Sequence, residues 1–92
     1  MGASFDVAGA WSLAESVALR PEPFGALAYH YGTRRLSFLK SPVLVGVVRA
    51  LGEHPSARDA CRALGVDGER GPIFEALTTL ADSGMIVPRV PA

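Results

Sequence analysis

The chain has 92 residues, with nine basic and nine acidic side chains that cancel to a net charge of zero, and 49% hydrophobic residues. That length suits one domain with a modest core and is short for one enclosing a deep active site. The charge balance excludes a global field drawing the protein onto nucleic acid or an anionic membrane. Cys61 stands alone, which excludes an internal disulfide and fits a reducing compartment. With no apolar run of membrane-spanning length and no basic-then-apolar N-terminus, the expected location is the cytoplasm.

Residues 1–10 are small and weakly patterned and read as a flexible N-terminal arm. Trp11, Leu13, Val17 and Leu19 fall on odd positions, which suits an extended segment; Glu15 interrupts it, so Ser16 to Arg20 is the firm strand. Pro21-Glu22-Pro23 blocks a helix and leads rigidly into GALAYHYGTRRLSFLK, Gly25 to Lys40. There Gly32-Thr33 is a Gly-X pair between alternating residues, which predicts a hairpin with a two-residue type II′ turn. That turn sets Tyr31 opposite Arg34, Tyr29 opposite Leu36 and Leu27 opposite Phe38. Alternation sorts the ribbon into two faces. Leu27, Tyr29, Tyr31, Leu36 and Phe38 form the large apolar one, expected against the core. Ala26, Ala28, His30, Arg35, Ser37 and Leu39 form the small or polar one, expected to meet water.

Ser41-Pro42 is an N-cap followed by a residue preorganised for the first helical turn. Leu44, Val47, Val48 and Leu51 then recur on one helical face, and Gly52 and Pro55 end it. Ser56 starts a second helix with a small-residue face of Ala57, Ala60, Cys61 and Leu64, closed by Gly65. Pro72 starts a third, which runs to about Ser83 and stops at Gly84. On it Ile73, Leu77, Leu80 and Gly84 share one stripe, and Phe74, Thr78, Ala81 and Met85 a second beside it. The apolar arc is wider than one buried seam needs, so this helix either lies deep in the core or lines a groove. Met85-Ile86-Val87 is short and extended, and residues 88–92 should fray. The expected domain spans residues 11–87. Its fold class is α+β, winged-helix-like, with a three-stranded antiparallel sheet followed by three helices.

No catalytic constellation can be assembled. His30 and His54 lie apart with no metal-ligand spacing, Cys61 reads as a packed thiol, and no phosphate-binding glycine loop is present. The chain is therefore expected to be no enzyme and to hold no metal or cofactor. Helix order alone would allow a winged-helix DNA binder. The third helix, however, carries Glu75 and Asp82 and no Arg, Lys, Asn or Gln to meet phosphates or base edges.

The segments VALRPEPFGALAYHYGTRRLSFLKSP, HPSARDACRALGV and ALTTLADSGMI strongly resemble the mycofactocin biosynthesis chaperone family, within the wider group of precursor-peptide recognition elements. That group includes the peptide chaperone of pyrroloquinoline quinone biosynthesis. The resemblance covers nearly all of residues 5–87. It implies a non-catalytic chaperone that binds the leader segment of a ribosomally made precursor peptide. It further implies delivery to a radical S-adenosylmethionine enzyme, which carries the iron-sulfur clusters itself. In such proteins the leader adds a strand between the third strand and the third helix. Carried onto this chain, the peptide-binding residues are Arg34, Arg35, Leu36, Ser37, Phe38 and Leu39 on the strand, and Phe74, Thr78 and Ala81 on the helix. Arg34, Arg35 and Arg70 would favour an acidic leader. Alternation leaves open whether Ser37 or its neighbours direct their N–H groups to the free side. A strand edge of this kind can also pair with its own copy, so a homodimeric packing module is the remaining alternative.

Overall fold

A computed structural model describes residues 4–89. Five strands and three helices follow one another: β1 (Trp11–Leu13), β2 (Val17–Glu22), β3 (Gly25–His30), β4 (Arg35–Leu39), α1 (Pro42–Ala50), a 3-10 turn (Leu51–Glu53), α2 (Ala57–Ala63), α3 (Pro72–Asp82) and β5 (Ile86–Pro88). β2, β3 and β4 form an antiparallel three-stranded sheet in that order, and β1 pairs with β5 in a separate ribbon. The fold is α+β, with the three helices after the sheet, as expected. The β1–β5 ribbon adds to the expectation: Trp11 pairs with Pro88 and Leu13 with Ile86, which brings the two ends of the chain together.

The caps lie where the sequence puts them. Ser41 Oγ accepts from the Leu44 N–H at 3.2 Å and Ser56 Oγ from the Asp59 N–H at 3.1 Å. The segment read as a flexible arm is engaged from Phe5 onward. Its Val7 and Gly9 carbonyls accept from Arg58 and Ala57, the first N–H groups of α2, which no helical carbonyl can reach. Trp11 is buried and donates its indole N–H to the Asp6 carbonyl at 2.8 Å, while Phe5 packs on the Trp11 ring at 5.2 Å. At the other end, Pro88 pairs in β5 and Arg89 donates to the carbonyls of Gly52 and His54. The remainder of the tail, residues 90–92, lies outside the described residues, as do residues 1–3.

The hairpin register is the expected one, with Tyr29 opposite Leu36 and Leu27 opposite Phe38. Its turn is not. The loop takes the four residues 31–34, and the left-handed position is Arg34, at φ 61°, rather than Gly32. A two-residue II′ turn needs positive φ at its first central residue. Here the tip is organised by His30 instead, whose Nδ1 accepts from the N–H groups of Gly32 and Thr33, both at 3.1 Å.

The larger correction concerns the two faces. Ala26, Ala28 and Leu39 are the buried set, the two alanines fully, whereas Tyr29, Tyr31, Leu36 and Phe38 are exposed. The core is built from Val47, Val48 and Leu51 of α1 and its turn, with Leu77, Met85 and Ile86, set against those alanines. Small side chains under the sheet let α1 approach its backbone closely. The large ones are left outside.

Gly25 fixes the exit from β4. It sits at φ 147°, and a Cβ there would lie 2.1 Å from the Leu39 carbonyl oxygen. A Gly25→Ala variant is expected to lose about 3 kcal/mol, from backbone strain together with the steric clash. Denaturant unfolding at unchanged m-value measures this.

Candidate peptide-binding edge and groove

Which groups of β4 are free follows from one bond. Tyr31 N–H donates to the Ser16 carbonyl at 3.0 Å, continuing the β2–β3 register by a step. Main-chain hydrogen bonding alternates along an antiparallel strand. Leu27 and Tyr29 therefore direct their groups at β2, and Ala26, Ala28 and His30 at β4, where Leu39, Ser37 and Arg35 face them. Leu36 and Phe38 are left directing N–H and C=O outward, to a side with no strand among the described residues. Ser37 donates inward.

The opposite edge of the sheet has lost most of its outward donors. By the same alternation Val17, Leu19 and Pro21 face outward from β2. The Val17 N–H is taken by the Ala14 carbonyl at 3.0 Å, and Pro21 has no N–H to give. A larger hollow of about 600 Å³ lies on that side, between Leu13, Leu19, Val48, Arg49 and Glu53. It borders a strand whose outward donors are mostly taken or missing.

Beside the open edge of β4 lies a groove of about 250 Å³. Ser37, Phe38 and Leu39 form its strand wall, Leu44 of α1 lies behind, and Ala76, Thr79 and Leu80 of α3 form the opposite wall. It is smaller than the roughly 300–1,000 Å³ of small-molecule sites, and apart from two hydroxyls its lining is apolar. A few apolar side chains fit such a space.

The residues named from the sequence separate on the structure. Ser37, Phe38 and Leu39 border the groove, with Leu36 on the same edge. Phe74, Thr78 and Ala81 do not border it. Phe74 packs on Phe5 at 5.9 Å, Thr78 donates to the Phe74 carbonyl at 2.8 Å, and Ala81 is buried. Phe74 and Ala76 are about 200° apart around α3, so one cannot face β4 when the other does. The sequence shows the wide apolar arc of α3 but not which flank of it the sheet meets. Arg34 and Arg35 are exposed at the loop end of β4, Lys40 at its other end, and Arg70 in the loop before α3. None of these four has a carboxylate within salt-bridge distance among the described residues.

Reactive chemistry is absent from this edge. Among the described residues no group of His, Cys, Asp and Glu could hold a metal ion. Cys61 is fully buried in α2, and burial, then the charge of Asp67, pushes its thiol above the ordinary value of 9.0. Gly68 is pressed against it, since a Cβ there would lie 2.5 Å from Sγ. The thiol is packing material. Because its folded pKa is raised, its contribution to stability is complete below pH 9 and is lost as pH rises through the folded value. The difference in melting temperature between the wild type and Cys61→Ala should therefore be constant below pH 9 and change only above it, and native Cys61 should resist alkylation that the unfolded chain accepts.

Residues 10–87 match the model of the peptide chaperone MftB family. The chain belongs to that family. It is 55% identical over 87 residues to peptide chaperone MftB of Mycobacterium ulcerans (strain Agy99), covering 94% of this chain and 80% of the relative. Its counterpart from Mycobacterium tuberculosis is 52% identical, covering 92% and 79%, and that from Mycolicibacterium smegmatis is 52% identical, covering 96% and 87%. No solved structure matches the chain. The family is one of peptide chaperones, a non-catalytic role that implies binding of a peptide. No helix of the described residues is long and apolar enough to cross a membrane.

Proposed function

We propose that the chain binds the leader segment of a precursor peptide by β-strand addition to β4, and presents it to a radical S-adenosylmethionine enzyme in cytoplasmic mycofactocin biosynthesis. The observation that carries this reading is the coincidence of an unpaired strand edge with a groove of apolar lining immediately beside it. Neither feature alone would suffice, since many sheets end in a free strand. Together they provide what strand addition requires: main-chain partners for affinity and a lined space for side-chain choice.

The added strand pairs with the N–H and C=O groups of Leu36 and Phe38. Leader side chains on its inner face enter between Ser37 and Leu39 on one side and Ala76, Thr79 and Leu80 on the other. Arg34, Arg35 and Lys40 line the strand, with Arg70 beyond, and no acidic residue occurs from Arg34 to Lys40. A leader with carboxylates around an apolar stretch suits that distribution, with the charges acting mainly on association rate and register. The same row of cations opposes pairing of β4 with the β4 of a second copy, which would set like charge against like.

Leu36→Pro tests the edge without breaking the β3–β4 ladder, because the N–H it removes faces outward. Titration calorimetry with the synthetic leader segment should give roughly tenfold weaker binding than Leu36→Ala, the value of one lost main-chain hydrogen bond and its orphaned partner. Equal affinity of the two variants, both folded, contradicts strand addition. Thr79→Trp tests the groove. Thr79 is exposed, so the indole should fill the space with little change in melting temperature while weakening leader binding by at least about tenfold. Retained affinity would remove the groove from the site.

A further inference from the structure

Strand addition leaves most of one surface unexplained. The face of the β2–β3–β4 sheet turned away from the helices carries Phe38, 62% exposed, Leu36, 56%, and Tyr29, 38%, with Phe24 at the β2–β3 turn, 40%. Antiparallel sheets with one face in water ordinarily place polar side chains there. Here Phe24 and Phe38 meet edge to face at 6.0 Å, and with Lys40 they border an open notch of about 420 Å³. A contiguous aromatic surface of this kind marks an interaction site.

The leader strand cannot cover it. A strand added to β4 lies about 4.8 Å beyond that strand, next to Leu36 and Phe38. Tyr29 is on β3, a further strand spacing inward, and Phe24 is on the β2–β3 turn, behind Phe38. Nor does a second copy suit the surface. Glu22 is the one carboxylate on the strands of this face, and it already pairs with Arg20 at 3.2 Å. Arg34 and Lys40 stand at the two ends of β4 without carboxylate partners among the described residues. Two copies placed face to face would oppose these cations.

We propose that this outer face is the docking surface for the protein that acts on the bound peptide. Its complementary surface is apolar at the centre, for Phe24, Tyr29 and Phe38, with carboxylates set to meet Arg34 and Lys40. Those two cations are six positions apart, roughly 20 Å along an extended chain. The inference rests on the leader-binding reading above and extends it. Leu36 and Phe38 belong both to the edge and to the face, so a protein seated on the face borders the peptide directly. Peptide and partner then share one continuous surface, and each strengthens the binding of the other.

The test uses Phe24→Glu, Tyr29→Glu and the milder Phe24→Ser, each checked for folding by its thermal melt. Leader affinity is measured by calorimetry. Binding of the purified radical S-adenosylmethionine enzyme of the pathway, with and without leader, is measured by sedimentation velocity. The expected result is leader affinity within about threefold of wild type and enzyme binding at least about thirtyfold weaker for the glutamate variants, the loss expected from burying an unpaired charge in a contact. Enzyme binding unchanged in the folded variants overturns the proposal, as does a wild-type chaperone that binds leader but not enzyme. A parallel loss of leader affinity assigns the face to the peptide, and a wild-type dimer broken by the variants assigns it to a second copy; either overturns the proposal. Failure of the wild type to bind leader overturns the reading beneath it.

Discussion

Among the described residues β4 has main-chain partners on one side only, and the rest of the structure can be understood from that constraint. Antiparallel alternation gives Arg35, Ser37 and Leu39 to β3 and leaves Leu36 and Phe38 with donors and acceptors that face no strand of the described residues. A free edge ordinarily invites unwanted pairing. The sheet has two edges, and the chain treats them differently. Pro21 and the Val17–Ala14 bond remove two of the three outward donors of β2, whereas the β4 side is bordered by an apolar groove and by cations at both ends. Under the proposed function, that asymmetry is what would turn an unsatisfied edge into a selective one.

The alanines beneath the sheet do as much for the surface as for the core. Because Ala26 and Ala28 occupy no depth, α1 can bring Val47 and Val48 against the β3 backbone, and the large side chains of the hairpin have no room inside. They are displaced to the outer face, where Leu36 and Phe38 are more than half exposed and Tyr29 is partly so. Exposed aromatic area costs solubility and offers the isolated fold little stability. A packed partner recovers the transfer free energy of that surface, about 25 cal/mol per Å². A compact core and an exposed apolar outer face are thus consequences of one choice of small residues.

Much of the fold was legible in the sequence because it is written in local chemistry. Ser41-Pro42, Ser56 and Pro72 mark helix starts through caps and fixed φ, and the Tyr29–Leu36 register follows from alternation about a short loop. The face assignment failed because side-chain size was taken for burial. Whether Phe38 or Ala28 points inward depends on how near α1 comes, a tertiary distance that periodicity does not carry. The turn failed for a related reason: Gly32 suggested positive φ, but the His30 imidazole holds the tip and moves the left-handed residue to Arg34. On α3 the wide apolar arc was visible, yet Phe5 from the N-terminal segment claims the Phe74 flank and turns Ala76, Thr79 and Leu80 toward β4. That contact spans most of the chain. Resemblance to known chaperones pointed to a strand and a helix, and packing decides which of their side chains border the groove between them.

Amide hydrogen exchange followed by NMR at four consecutive residues tests the central claim most directly. In the free monomer the Leu36 and Phe38 amides should exchange at least about a hundredfold faster than those of Ser37 and Leu39. Saturation with leader peptide should slow the first two and leave the second pair protected throughout. Equal protection of all four in the peptide-free monomer, or rapid exchange at Leu36 and Phe38 in the saturated complex, would contradict the account.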